Sequence, residues 1–346
     1  MAYTIKHHNG VPLATPSTMG VVHKCPLQYA IRYWLHPGKQ TNTSATDLGS
    51  FIHDYIEDNY LNLDYDKALN AFMKHLKGVF GKELGAMVLE YGQMWLSAIE
   101  DTERYSEDMG YNIPRYPMHS SYFRSQHAHK FRTMLKVSQA WQTENPDFDV
   151  YGTLLDYYTQ GLRCIDNMMD MVPLIQESLT GEGFKERINV EASISPVEHP
   201  FTKEAMGGTT DVFHFSTGRT KASLSVYDFK TGRTPWTQDK VRNSHQLKWY
   251  AYCIARNNDL LDYNLQVRNH IYDLYQGKIH KVILTGSDLL EFEKEITPNL
   301  LRKQNIDAIM KTKGKDGLSE LDNALHGGGY KACPCEFVDK CPVYKR

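Results

Sequence analysis

Several things are scarce or missing in this chain, and each absence narrows what it can be. No apolar run approaches the roughly 20 residues that a membrane-spanning helix needs, so no membrane partner is expected. The opening MAYTIKHHNGVPLATPS has no apolar core of a secretion signal, which makes the cytoplasm the expected compartment. Formal net charge is only −2. That excludes a protein coating a polyanion by bulk attraction, though not one with a local basic groove. There is no internal repeat and no low-complexity tract, so solenoids and arrays are excluded. Cysteine is sparse, six in 346 residues. In a reducing compartment these six are metal ligands, buried thiols or nucleophiles, and not disulfides.

What is present is ordinary for a globular chain: 41% hydrophobic and 23% charged residues, enough for one large domain or two. Residues 17–35 read as a helix with Ser17 as N-cap and Val21, Val22, Leu27, Ile31 and Leu35 recurring at helical spacing, ended by Pro37-Gly38. A second helix is expected from Thr46-Asp47, burying Phe51, Ile52, Tyr55 and Ile56. From 65 to 185 the pattern is mostly helical, broken near Asn112-Ile113-Pro114 and Asn145-Pro146. Near Ile188 it changes to short runs of β-branched and aromatic residues, INVEASISPV, TTDVFHFS and SLSVYDFKTG, the last two joined by a hairpin. One helix is expected from Asp239 to Arg256, then strands at Gln266–Leu274 and Ile279–Leu284 and a helix from Ser287 to Lys311. Together these elements imply an α/β core carrying a large helical region.

The sharpest local pattern is Val226-Tyr227-Asp228-Phe229-Lys230-Thr231-Gly232. Two apart on a strand, Asp228 and Lys230 share a face. A carboxylate that holds a divalent cation beside an ammonium that handles water and phosphate charge suits phosphodiester hydrolysis. Asp-x-Lys alone is also what an ordinary same-face ion pair looks like. Three further features accompany it. Gly208-Thr209-Thr210-Asp211-Val212 lies on the preceding hairpin strand, so Asp211 can stand opposite Asp228. Leu48-Gly49-Ser50-Phe51-Ile52-His53 carries an imidazole one turn after a glycine. Gln246 and Tyr250 sit at i and i+4 on the following helix. From Asp228 to Lys248 there are five basic residues (Lys230, Arg233, Lys240, Arg242, Lys248) against two acidic ones.

The order His, Gly-x-x-Asp, Asp-x-Lys-Thr-Gly, Gln-x-x-x-Tyr resembles the RecB-type branch of the PD-(D/E)xK nucleases, which includes the RecB and AddB nuclease domains and the CRISPR-associated adaptation exonucleases. The resemblance spans residues 15–60 and 187–346. It implies a restriction-endonuclease-like mixed sheet flanked by helices, with 1–186 a mostly helical region and 187–346 the nuclease core, in one integrated fold. It implies metal ligation by His53, Asp211 and Asp228, a catalytic Lys230, and Gln246 and Tyr250 beside DNA, with Lys240, Arg242 and Lys248 as further grip. Glu191 stands where the family often has an acidic residue, and is expected behind the metal ligands.

Ala332-Cys333-Pro334-Cys335-Glu336-Phe337-Val338-Asp339-Lys340-Cys341 packs three cysteines into nine residues, a soft-metal pattern. A fourth ligand is needed, and Cys25 in His23-Lys24-Cys25-Pro26-Leu27 is the candidate. This arrangement resembles the RecB-type nucleases that carry an iron–sulfur cluster, and four thiolates suit [4Fe–4S]. One residue separates Cys333 from Cys335, where the family has two, a spacing that is also short for a zinc knuckle. Cys164 and Cys253 are expected to be buried thiols, and His127-Ala128-His129 a polar helix face. The expected function is a DNA exonuclease using Mg²⁺ or Mn²⁺ on single strands or duplex ends, in recombination, repair or spacer acquisition. The rivals are a non-catalytic DNA-binding module with a structural cluster and a zinc-stapled structural protein. No Gly-x-x-x-x-Gly-Lys-[Ser/Thr] loop occurs, so unwinding would come from a helicase partner, and a recombination or integration protein is a second expected partner.

Overall fold

The computed structural model describes residues 6–36, 42–82, 154–177 and 188–325, with short stretches between 84 and 149. Two short strands, β1 (His7–His8) and β2 (Val11–Pro12), pair antiparallel ahead of α1 (Pro16–Lys24). Thr15, and not Ser17, caps α1: Thr15 and Thr18 exchange side-chain and backbone bonds in a reciprocal capping box, with Pro16 at the first helical position. The helix expected over 17–35 is interrupted. Pro26 forces the residue before it out of the helical region, and Cys25 is extended (φ −157°, ψ 105°) between α1 and α2 (Pro26–Ala30). A π-helical turn, Ile31–Leu35, follows.

A two-residue strand β3 (Asn42–Thr43) leads into α3 (Ser44–Asn59), and α4 (Tyr65–Phe80) comes next. On α3, Leu48, Ile52, Tyr55 and Ile56 are buried, the spacing of a single apolar stripe. The pair β4 (Phe148–Asp149) runs parallel to β3, and α5 (Leu154–Glu177) then packs on α3 and α4. Gly161 makes this approach possible, because a β-carbon there would lie 2.1 Å from the Phe72 ring.

The central sheet comprises β5 (Asn189–Glu198), β6 (Ala205–Thr217), β7 (Lys221–Lys230), β8 (Asn264–Asp273) and β9 (Lys278–Thr285), in that spatial order. Neighbours are antiparallel except β7 and β8, which are parallel. A parallel pair needs a crossover. Here it runs through α6 (Gln238–Arg242), α7 (His245–Asn257) and a 3₁₀ turn at Leu260–Asp262. The single helix expected over 239–256 is therefore two. Ser244 accepts from Leu247 N–H as a new N-cap, which favours a fresh start over continuation. After β9 come α8 (Gly286–Lys313) and α9 (Leu318–Leu325).

Both faces of the sheet are covered. Leu224 and Val226 of β7 join the core shared with α1, α2, α7 and α8, while Tyr227 and Phe229 join the core shared with α3, α4 and α5. The N-terminal helices thus belong to the sheet's own core. They are also pinned by a polar network: fully buried Lys303 of α8 pairs with Glu204 and, at 2.7 Å, with Asp307. Asp307 accepts from Tyr29 Oη and Trp34 Nε1, each at 2.8 Å.

Candidate active site

His53, Glu191, Asp211, Asp228, Lys230, Gln246 and Tyr250 converge where the start of β5 and the end of β7 meet the middle of β6, against α3 and α7. In the β6–β7 register Val212 pairs with Tyr227, so Asp211 and Asp228 are the next residues along, side by side. Asp211 Oδ2 accepts from Phe229 N–H at 2.5 Å, which fixes that carboxylate and turns Oδ1 towards His53 Nδ1, 3.3 Å away. His53 is brought there by α3, whose Gly49 abuts the end of β7. A β-carbon at 49 would lie 3.3 Å from Thr231 Oγ1.

Glu191 is closer to the centre than the sequence reading put it. Its neighbours Val190 and Ala192 pair with Val212 and Thr210, so it faces Asp211 across the strands. Its backbone lies in the left-handed region (φ +42°), which a side chain with a β-carbon rarely adopts. Strain of this kind persists where the surroundings over-determine it. Here it aims Oε1 at His53 Nδ1, 3.1 Å away. One ligand atom each from His53, Glu191 and Asp211 lie within 4.8 Å of one another. One imidazole nitrogen and two carboxylates in that space fit a divalent cation. Nothing in the sequence signalled the left-handed turn at 191.

Asp228 and Lys230 form the other half. Lys230 Nζ lies 2.5 Å from Asp228 Oδ2. Gln246 spans the pair, donating from Nε2 to Asp228 Oδ1 (3.0 Å) and accepting from Lys230 Nζ at Oε1 (3.3 Å). Gln246 Nε2 also donates to Tyr250 Oη at 3.2 Å. The helix carrying both lies tight on β6: Trp249 Nε1 donates to Gly207 O at 2.9 Å, and a β-carbon at Gly208 would meet the Tyr250 ring at 2.9 Å.

The electrostatics are those of a site short of positive charge. Burial pushes the Asp228 carboxyl up, and the Asp211 charge adds to this against the pull of Lys230, leaving it at about 6. Asp211 also pays for burial, but His53 and Lys230 outweigh that and hold it below the usual carboxylate range. Burial disfavours the charged forms of His53 and Lys230. Together the charges and hydrogen bonds of Asp211 and Glu191 outweigh it for His53, and those of Asp228 with the charge of Asp211 outweigh it for Lys230, so both are raised.

Of the expected basic residues, Arg242 and Lys248 share one groove while Lys230 stays at the Asp228 pair. Lys248 is two residues from Gln246, about 200° round the helix. With Arg242 and Lys281 it lines a groove of about 600 Å³ that Asp288, Glu291 and Glu295 line as well. Lys240 Nζ donates to Pro235 O at 2.9 Å. Cys25 is half-buried, its sulfur accepting from Gln28 N–H at 3.4 Å. Cys164 and Cys253 are buried, and burial raises both thiols. Cys333, Cys335, Cys341 and the His127/His129 pair lie outside the described residues.

A mixed five-stranded sheet with helices on both faces makes this an α/β fold of the restriction-endonuclease-like kind. The family model of the PD-(D/E)XK nuclease superfamily matches residues 14–343, and the chain belongs to that superfamily. No curated protein matches the chain. Nucleases of this superfamily are in general metal-dependent and act on DNA, and a candidate acidic metal site is present. Among the described residues, no helix is long and apolar enough to cross a membrane.

Proposed function

We infer that the chain is a divalent-metal-dependent DNA exonuclease of the RecB type, acting on single strands or duplex ends in recombination, repair or spacer acquisition. The observation that carries this reading is the convergence of His53, Glu191, Asp211, Asp228 and Lys230 at one end of the sheet. His53, Asp211 and Asp228 hold the cation, and Glu191, from its strained position, either joins them or orients His53. Mg²⁺ and Mn²⁺ both suit the carboxylates, and the imidazole favours Mn²⁺. When bound, the cation polarises the scissile phosphate and lowers the pKa of water. Lys230, kept charged by Asp228, neutralises charge on the phosphate and positions the attacking water, while Gln246 holds the Asp228–Lys230 pair in register. A non-catalytic DNA-binding module would have no need of this assembled set.

The iron–sulfur reading rests on Cys25 and the C-terminal cysteines. Cys25 caps α2, and α9, the last described element, packs on α2. Cys333 follows eight residues after the end of α9, the helix that rests on the Cys25-capped α2. Four thiolates brought together there would hold a [4Fe–4S] cluster in a structural role, within one integrated fold. A helicase or integration partner fits a nuclease without an unwinding motor. Incubating end-labelled single- and double-stranded DNA with Mn²⁺ or Mg²⁺ tests the reading. Shortening from an end supports it, and intact DNA with both metals removes it.

A further inference from the structure

The loop Thr231–Thr237, directly after Lys230, has no task in hydrolysis, yet it is held from three sides. Buried Gln160 of α5 donates from Nε2 to Thr231 O (2.7 Å) and accepts from Arg233 Nε at Oε1 (2.9 Å). Asp273, fully buried at the end of β8, accepts from Trp236 N–H and from Gln276 N–H, each at 3.1 Å. Gln276 Nε2 donates to Arg233 O at 3.4 Å, and Lys240 closes the far side on Pro235 O. The loop carries an indole beside the site and a guanidinium turned towards Tyr275. The half-buried Trp236 ring packs by one side against the core, with its centre 5.9 Å from Lys230 Nζ. The Arg233 guanidinium stands 6.0 Å from the Tyr275 ring, where Arg163 also stands at 5.4 Å.

We propose that Trp236 is a stacking platform for a base of single-stranded nucleic acid next to the phosphate that Lys230 meets, with Arg233 on the adjoining phosphate. This rests on the nucleolytic reading of the site. Flat aromatic rings interleaved with cations along the backbone path are how single strands are gripped without sequence preference. In a duplex each base is stacked and paired inside the helix, so an indole this close to the phosphate-handling lysine reaches a base only when the strand is open. The ring's distance from Lys230 is at the outer limit of a cation–π contact, so that contact alone does not account for a loop tied down by Gln160, Asp273 and Gln276. Holding the ring in place beforehand lowers the ordering cost of binding.

The test uses the whole chain and variants Trp236→Ala and Trp236→Phe. The first probe is an oligothymidylate carrying one 2-aminopurine, with metal chelated so that nothing is cut. Stacking quenches the probe. Quenching is expected with wild type and Trp236→Phe and lost with Trp236→Ala, which gives up core packing and melts lower yet stays folded at the assay temperature. The second readout is kcat/KM with Mn²⁺ on single strands carrying one abasic site, scanned along the strand. In wild type one position should cost about 5- to 150-fold, the value of one stacked base, and in Trp236→Ala no position should cost more than twofold. Quenching by Trp236→Ala equal to wild type, or an abasic penalty that survives in it, overturns the platform. So does equal loss in both variants with a lowered melting temperature. A wild type that quenches but never cleaves removes the nuclease reading and leaves the platform standing.

Discussion

Glu191 offers the most searching perturbation, because its backbone and its carboxylate make separate demands. In the left-handed region at φ +42°, a residue with a β-carbon costs about 1–2 kcal/mol relative to its ordinary conformation. Glu191→Ala keeps that cost and removes the carboxylate, whereas Glu191→Gly removes both. Glycine gives back about 0.5–1 kcal/mol through its freer unfolded chain. The metal-free Gly variant should therefore exceed the Ala variant by roughly 0.5–1 kcal/mol. For 346 residues at about 2.1 cal/mol/K each, that difference is about 1 °C in melting temperature. Metal binding separates the other role. If the carboxylate serves the cation directly or through His53, both variants lose about 10- to 100-fold in Mn²⁺ affinity. At saturating metal this trims the stabilisation by up to about 2.7 kcal/mol. Paired calorimetric scans with and without Mn²⁺ read both quantities. Equal metal-free melting temperatures for Ala and Gly would refute the strain, and an undiminished metal shift in either would refute the carboxylate's part.

Metal binding should be tied to pH. His53 must present an unprotonated nitrogen, yet its pKa is raised, and Asp228 holds a proton up to about 6. The metal-free site therefore releases protons on binding, and Mn²⁺ affinity should climb about tenfold per pH unit per proton from pH 6 until His53 is neutral. Titration calorimetry in two buffers of different ionisation enthalpy counts the protons, and a pH-independent affinity contradicts the coupling. Cys25→Ser should give pale protein with reduced iron, while Cys164→Ser and Cys253→Ser stay coloured. The Lys303–Asp307 network still docks α2, so the variant should fold. Full iron content in Cys25→Ser moves the fourth ligand elsewhere, with His23 the first to examine.

The placement of Asp211, Asp228 and Lys230 in the candidate site was legible because strand geometry makes it local. Asp228 and Lys230 share a face by period two, and the short hairpin to β6 sets Asp211 opposite by register. Gln246 and Tyr250 share a helix face by period 3.6, and the structure finds them bonded to each other. What escaped depended on contacts that spacing does not encode. Glu191 was expected only behind the metal ligands, because spacing does not encode the left-handed backbone that brings it to His53. The helix breaks at Cys25 and Ser244 came from a following proline and a cap inside otherwise periodic runs. Gln160 and Asp273, which hold the loop after Lys230, come from a helix and a strand end remote in sequence. In the basic stretch, Arg242 and Lys248 line one groove, while helical rotation turns Lys248 away from Gln246.

The central claim is that Asp228 and Lys230 perform metal-dependent cleavage, and the most direct measurement is single-turnover cutting of end-labelled single-stranded DNA with Mn²⁺ by wild type, Asp228→Ala and Lys230→Ala. The expected result is a wild-type rate abolished by EDTA, and a loss of several orders of magnitude in either variant, with DNA binding largely kept. A variant that turns over near the wild-type rate, or cleavage indifferent to EDTA, would contradict it.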